Sequence, residues 1–124
     1  HYYKGRVDHP ISEAENVVFD QERKVVRVGK NLSLADNVDG EFIGMFKLSE
    51  RGAALFKEQF HKAKAEYWDK PFQQAAVFQK AYITDMIQML VDQGHPVHCV
   101  TIEQGWKEID TVEDYEKAVK ALQG

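Results

Sequence analysis

The segment from Trp106 to Asp114 carries the residues whose types and spacing are best suited to chemistry. Its sequence is WKEIDTVED, and Glu108 and Asp110 are two positions apart in it. Residues two apart on an extended backbone point to the same side, so both carboxylates would lie where a strand ends and a helix begins. Hard divalent cations such as Mg²⁺ prefer oxygen ligands of this kind. The segment therefore predicts a metal site.

A purely structural role is the alternative for the same residues. Thr111 and Asp114 have the spacing of a capping box, so Asp110 and Thr111 would serve only to begin the last helix. This signature is common, and spacing alone favours the cap over the metal site.

Other kinds of site find less support in the sequence. His95, His98 and Cys99 are close together, but His98 and Cys99 would point to opposite faces of a strand, which is poor geometry for a zinc ion. The formal net charge is -4 and no basic run stands out, so a nucleic-acid partner is not expected.

Hydrophobic periodicity predicts the elements that must position these residues, in the order β-β-β-α-α-β-β-α. The predicted strands are 17–20, 24–30, 41–48, 97–103 and 106–109. The predicted helices begin at Ser49, Pro71 and Thr111. Strands and helices that intermix in this way indicate an α/β fold. The apolar strand 97–103 requires cover on both faces, and we expect part of the sheet to come from outside this chain.

Composition excludes several classes of protein. The 124 residues fit one domain, and no apolar stretch approaches the roughly 20 residues of a membrane span. Residues 1–10 are polar and aromatic, unlike a secretory signal, and the single cysteine suits a reducing compartment. We therefore expect a cytoplasmic protein. The first residue is His1 and not methionine, so we also expect residues 1–124 to be one incomplete domain of a longer protein.

Four short motifs occur in an order that is similar to one enzyme family. They are Gly-Lys at 29–30 after a hairpin, Gly-Glu-Phe-Ile-Gly at 40–44, Tyr-Ile-Thr-Asp at 82–85 and Trp-x-Glu-Ile-Asp-Thr-x-Glu-Asp at 106–114. The set resembles the sugar-phosphate and phosphocholine-type nucleotidyltransferases, above all the subgroup acting on phosphocholine or small phosphonates, including modules attached to phosphoenolpyruvate mutases. The resemblance implies the C-terminal part of a nucleotide-diphospho-sugar transferase fold, a partial three-layer mixed sheet with flanking helices.

The resemblance also implies a role for individual residues. Asp110 matches a magnesium-binding aspartate, with Glu108 as a further metal ligand or a supporting residue. Lys30 matches a catalytic lysine that holds the phosphate or phosphonate of the acceptor, and Glu41 matches an acid at the acceptor site. Tyr82 and Trp106 would form walls of that site, where an aromatic face could bind an ammonium group.

Each of these residues also has a simpler interpretation. A lysine after a strand is usually solvated, and Trp106 would more often belong to a core. Tyr82 falls on the predicted apolar stripe of the second helix and would then pack there. Asp85 lies near the edge of that stripe, where it could accept a hydrogen bond between helices.

The implied reaction joins a nucleoside monophosphate to the acceptor. An acceptor oxygen would attack the α-phosphorus of a nucleoside triphosphate, with CTP favoured, and release pyrophosphate, while Mg²⁺ and the lysine neutralise charge. The sequence contains neither Gly-x-Gly-x-x-Gly nor Gly-x-x-x-x-Gly-Lys, so we expect this chain to lack the nucleotide cradle and to be inactive alone. The alternative is a non-catalytic interaction or dimerisation module, for which a homodimer is the favoured assembly.

Overall fold

A computed structural model describes residues 15–32, 38–103 and 112–123. In these residues the strands are β1 (Glu15–Phe19), β2 (Val25–Lys30) and β3 (Gly40–Glu41). The helices are α1 (Glu50–Tyr67), α2 (Ile83–Asp92) and α3 (Val112–Gln123), and Phe78–Lys80 forms one turn of 3₁₀ helix. The predicted α/β class is confirmed.

The three described strands form one antiparallel sheet in the order β2-β1-β3. The hairpin of β1 and β2 was predicted although its turn lacks Asn-Gly. The carboxylate of Asp20 takes over the role of that signal, because its Oδ1 accepts hydrogen bonds from the backbone N of Glu22 at 2.8 Å and of Lys24 at 3.0 Å. Arg23 completes the turn with a φ of 62°.

Helix α2 lies between two apolar clusters, which gives the described core three layers. One cluster joins α2 to the sheet through Val17, Val28 and Ile87. The other joins α2 to α1 and to the segment between them. Its buried members are Ala63, Phe72, Phe78, Met86 and Met89. A fully buried side chain of the larger kinds stabilises the fold by roughly 1.5–3 kcal/mol, so α2 is the element that holds the layers together.

The predicted helix α1 is confirmed, including its start and its buried face. Ser49 is its N-cap, and its Oγ accepts a hydrogen bond from the backbone N of Gly52 at 3.0 Å. Ala63 is buried, and Phe56, Phe60 and Tyr67 pack against the same cluster.

The prediction of a helix beginning at Pro71 is wrong. Phe72 and Ala75 exchange two backbone hydrogen bonds, of 3.0 and 2.9 Å, which close a tight turn. Gln73 in this turn has a φ of 51°, which no residue of an α-helix adopts. Helix α2 begins only at Ile83. Phe72 and Ala75 have the spacing of one helix face, but Phe72 is buried through a tight turn instead.

Two predicted strands are shorter than the sequence indicated. The strand predicted at 41–48 ends at Glu41, and Gly44 then redirects the chain with a φ of 83°. The strand predicted at 97–103 is reduced to a bridge between His98 and Lys24. Beyond this bridge the edge of β2 is occupied by glutamine side chains, so Val100 remains 90% exposed.

The last predicted helix is confirmed as α3, whose Ala118 is buried. The extended piece predicted at 106–109 and the cap at Thr111 lie outside the described residues. None of the helices in the described ranges is long and apolar enough to cross a lipid bilayer.

Candidate functional site

The structure brings two of the predicted site residues together at the end of β2. Nζ of Lys30 lies 4.4 Å from the centre of the Tyr82 ring, within the range of a cation–π contact. Tyr82 is the N-cap residue of α2, and 54% of its surface is exposed. The interpretation that Tyr82 packs on an apolar stripe is therefore wrong.

The backbone of Lys30 is held by the side-chain amide of Gln74. The backbone N of Lys30 donates to Oε1 of Gln74 at 2.9 Å, and Nε2 of Gln74 donates to the carbonyl oxygen of Lys30 at 2.6 Å. One primary amide thus pairs with both polar backbone groups of one residue, as a neighbouring strand would. This pairing fixes the point from which the lysine side chain extends.

Gly29 makes room for this pairing. A Cβ atom added at Gly29 would lie 2.5 Å from Oε1 of Gln74, closer than real Cβ contacts allow. The Gln74 amide could move away, but it would then lose the backbone of Lys30. The Gly-Lys pair at 29–30 therefore has a physical reason: the glycine admits the amide that holds the lysine.

Asp85 connects the two segments that contact Lys30. Its carboxyl group is buried, with only 4% of the residue exposed. Oδ2 accepts a hydrogen bond from the backbone N of Tyr82 at 2.8 Å, and Oδ1 accepts one from the backbone N of Gln74 at 3.1 Å. The sequence indicated a hydrogen-bond acceptor here, and the donors are backbone amides at the start of α2 and in the turn before it.

A second glutamine covers the neighbouring part of the β2 edge. Oε1 of Gln88 accepts from the backbone N of Val28 at 2.8 Å, and its Nε2 donates to the carbonyl of Val26 at 3.3 Å. Nε2 also donates to Oδ1 of Asp92 at 2.9 Å. Between this edge and α2 lies a cleft of about 310 Å³. Its lining includes Gln74, so the cleft adjoins the residue that holds Lys30.

Glu41 lies elsewhere on the sheet. Lys30 pairs with Glu15, whereas Glu41 pairs with Asn16, the next residue of β1. Side chains alternate between the faces of a sheet, so this register places Glu41 on the face opposite Lys30. Glu15, which pairs with Lys30, is closer to the lysine than Glu41 is. Its Oε2 is a buried oxygen that accepts no hydrogen bond from the residues described.

The predicted metal ligands are not among the described residues. Glu108 and Asp110 fall in the undescribed range 104–111, as does Trp106, the predicted wall of the acceptor site. In the ranges that are described, no three His, Cys, Asp or Glu side chains are grouped so that they could hold a metal ion.

Little in the sequence indicates a role for the two glutamines. Gln74 was assigned to the interior of a helix, and Gln88 has no distinguishing motif. One signal was available: both are long amide side chains at or near an element that packs on an edge strand, and edge strands need partners.

Cys99 belongs to the sheet cluster and not to a polar site. It is partly buried and packs against the cluster of Val17, Val28 and Ile87. Burial raises the pKa of its thiol, the carboxylate of Asp39 raises it further, and the guanidinium of Arg23 opposes the shift. The thiol is therefore kept protonated, which disfavours a role as a nucleophile.

Comparison with known proteins gives one distant similarity. The chain is 24% identical over 121 residues to the CTP:phosphoglutamine cytidylyltransferase of Campylobacter jejuni. The aligned region covers 95% of this chain but 45% of that enzyme, so the chain spans less than half of its length. No family model and no solved structure matches the chain.

The similarity supports a distant relationship to a cytidylyltransferase. This relationship is coarse and extends only to nucleotidyltransferases in general. It does not identify the acceptor, the metal or the assembly. It nevertheless agrees with the nucleotidyltransferase family that the order of the sequence motifs resembles.

Gln74→Ala and Gln88→Ala should act on different backbone amides of β2. Gln74→Ala removes the partner of the Lys30 amide, and we expect its hydrogen exchange to accelerate by about fivefold or more, since a hydrogen bond contributes about 1 kcal/mol. The Val28 amide should stay protected in this variant and lose protection in Gln88→Ala. Each variant is the control for the other when exchange is measured by NMR. Equal changes at both amides in both variants would contradict the pairing of Gln74 with Lys30 and of Gln88 with Val28.

Alkylation of Cys99 should report its raised pKa. The fold favours the protonated thiol over the thiolate. The stability that the Cys99 thiol contributes is therefore complete below its unfolded pKa of about 8.5, and it is lost as pH rises through the higher folded pKa. We expect the rate of iodoacetamide reaction to reach its midpoint at higher pH in the folded chain than in urea. Cys99 is the single cysteine of this sequence, so the modified residue is unambiguous. Coinciding midpoints would contradict the prediction.

Proposed function

We propose that this chain is the acceptor-binding part of a nucleotidyltransferase that transfers a nucleoside monophosphate, from CTP by preference, to a small phosphate or phosphonate acceptor. The observation that carries the proposal is the fixed position of Lys30, whose backbone is held by Gln74 and whose ammonium lies over the Tyr82 ring. The distant similarity to a CTP:phosphoglutamine cytidylyltransferase supports the same reaction class.

The problem that such a reaction poses is electrostatic. An anionic acceptor oxygen must form a bond to the α-phosphorus of an anionic triphosphate, while the bond between the α-phosphorus and the bridging oxygen breaks and pyrophosphate leaves. The nucleophile is already charged, so no proton has to be removed from it. A lysine ammonium beside the acceptor reduces the repulsion and holds the oxygen in line, which are the main contributions to catalysis of phosphoryl transfer.

Lys30 has the features that this role requires. It is at the last position of β2, where the strand ends beside the cleft lined by Gln74 and Asp85. The Tyr82 ring supplies an aromatic face at the same place, which suits an acceptor that carries an ammonium group of its own. Trp106 is proposed as a second wall of the acceptor site. Glu41 is proposed as an acid that binds the ammonium group of the acceptor, although the sheet register separates Glu41 from Lys30.

Magnesium is part of the proposal through Asp110, with Glu108 proposed as a further ligand. A bound Mg²⁺ would neutralise charge on the triphosphate and orient it. We propose that residues 1–124 form one incomplete domain and that the nucleotide cradle lies in a part of the enzyme corresponding to the uncovered 55% of the relative. On this proposal the chain alone would be inactive.

A non-catalytic interaction module is the second candidate. The observation that favours it is the exposure of apolar side chains in the described residues, including Val100 at 90% and Leu122 at 85%. Surfaces of this kind are often covered by a partner, which in a homodimer would be a second copy.

Pyrophosphate release by the full-length protein tests the proposal. With CTP and Mg²⁺, an acceptor such as phosphocholine, phosphoglutamine or a small aminophosphonate should give pyrophosphate and a cytidine diphosphate-linked product. Lys30→Ala should raise the KM for the acceptor by about tenfold or more, because a hydrogen bond to a charged group contributes about 1.5–3 kcal/mol. Asp110→Ala should abolish turnover and leave the fold intact.

Lys57→Ala is the matched control, since it removes the same charge from an exposed position on α1. Lys57→Ala should leave the KM for the acceptor and the KM for CTP unchanged. Undiminished turnover in Asp110→Ala would refute the metal role, and an unaltered acceptor KM in Lys30→Ala would refute the acceptor role. If the wild-type protein releases no pyrophosphate with any nucleoside triphosphate, the interaction module becomes the better account.

A further inference from the structure

We infer that Asp85 is a positioning residue for Lys30, which it orients through Tyr82 and Gln74 without touching the acceptor. This inference rests on the proposed role of Lys30 as the group that binds the acceptor anion. It assigns a function to a buried carboxyl group that the reaction itself does not use.

The geometry shows two routes from Asp85 to Lys30. Oδ2 of Asp85 fixes the backbone of Tyr82, whose ring lies under the lysine ammonium. Oδ1 fixes the backbone of Gln74, whose amide holds both backbone groups of the lysine. The two routes end at opposite ends of the same residue, so one carboxyl group determines both the origin and the direction of the Lys30 side chain.

Helix capping explains only half of this arrangement. An acid at the third position of a helix normally accepts the N-cap amide, and Oδ2 does so at Tyr82. The second oxygen binds Gln74, which is eleven residues earlier in the chain and has no part in the helix. The start of α2 would be capped equally well without it. The second bond therefore serves the turn at 72–75.

That turn needs such an anchor. Gln73 has a φ of 51° and Asn31, directly after Lys30, has a φ of 52°. The left-handed region is unfavourable for a glutamine, and such residues persist where the surrounding structure holds them. A left-handed residue therefore lies in the turn that holds Lys30 and another lies directly after Lys30 itself. This agrees with a lysine that is held in one orientation.

Asp85→Asn is the informative substitution because it keeps the shape of the side chain. Its NH₂ group would face either the Tyr82 amide or the Gln74 amide, so one of the two hydrogen bonds is lost. Gln74→Ala breaks one of the routes without altering Asp85. It carries the test if Asp85→Asn does not fold.

The experiment is a double-mutant cycle that measures binding of inorganic phosphate to the full-length protein by calorimetry. Lys30→Ala should weaken binding by about tenfold or more. Asp85→Asn should weaken it several-fold in the wild-type background and have no further effect in Lys30→Ala, since both changes act on one interaction. Gln74→Ala should behave in the same way. The acceptor KM of each variant should rise in parallel with its phosphate Kd, whereas kcat at saturating acceptor should change less.

Two controls separate positioning from loss of stability. Asp69→Asn makes the same chemical change at an exposed residue that bonds Gln79, and it should leave phosphate binding unchanged. Met89→Ala removes buried volume from the cluster between α1 and α2 and lowers stability, but it leaves the side chains of Asp85, Gln74 and Tyr82 unchanged. Its phosphate affinity should remain that of the wild type while the protein is folded.

The outcomes distinguish this inference from the proposed function. Additive effects of Asp85→Asn and Lys30→Ala, or undiminished phosphate binding in both Asp85→Asn and Gln74→Ala, would overturn the inference even if the enzyme is active. Coupled effects on phosphate binding in a protein that releases no pyrophosphate would support the inference and refute the nucleotidyltransferase. A wild-type protein that binds no phosphate overturns the positioning role as well.

Discussion

The outer edge of β2 presents backbone amides and carbonyls that need hydrogen-bond partners, and the way they are supplied determines the rest of the site. At the start of the strand the partner is the segment around His98, through bonds from Val25 to Val97 and from Cys99 to Arg23. At its middle and end the partners are the side chains of Gln88 and Gln74. An unpaired edge invites association with other strands, so this change of partner both protects the edge and ends the pairing with 97–99.

The use of side chains in place of a strand also creates the cleft. A paired strand would lie about 4.8 Å from β2 and fill the space beside it. Glutamines reach the same backbone groups from the turn at 72–75 and from α2, and the space between them stays open. Lys30 is the last residue of β2 whose backbone pairs with a glutamine side chain, and that glutamine, Gln74, lines the cleft. The position of α2 between two apolar clusters keeps this frame rigid, since Ile87 packs on the sheet side and Met86 on the side of α1.

Much of the fold could be predicted from local pattern, and the failures share a physical cause. The hairpin, α1 and α3 follow from periodicity, and the start of α1 follows from its N-cap, which are properties of neighbouring residues. The prediction for the segment 71–82 was wrong because Phe72 and Ala75 have the spacing of a helix face while the backbone between them turns at Gln73. The strand at 97–103 was wrong because its potential partner edge is occupied by residues distant in sequence. Lys30 and Tyr82 were identified through family motifs, whereas Gln74 depends on a tertiary contact over 44 positions that no local pattern announces.

The contact between Lys30 and Tyr82 must be weighed against the anion that the lysine is proposed to bind. A cation–π contact at a half-exposed ring contributes about 0.5–1 kcal/mol, whereas a hydrogen bond to a charged group contributes about 1.5–3 kcal/mol. An ammonium has three donor hydrogens, and a ring face 4.4 Å away occupies one side of it. An acceptor oxygen would therefore win the competition wherever the two conflict. The ring favours one direction of the lysine by about two- to fivefold before the acceptor arrives and is too weak to keep it from the acceptor afterwards, which is the balance that a preorganised anion site requires.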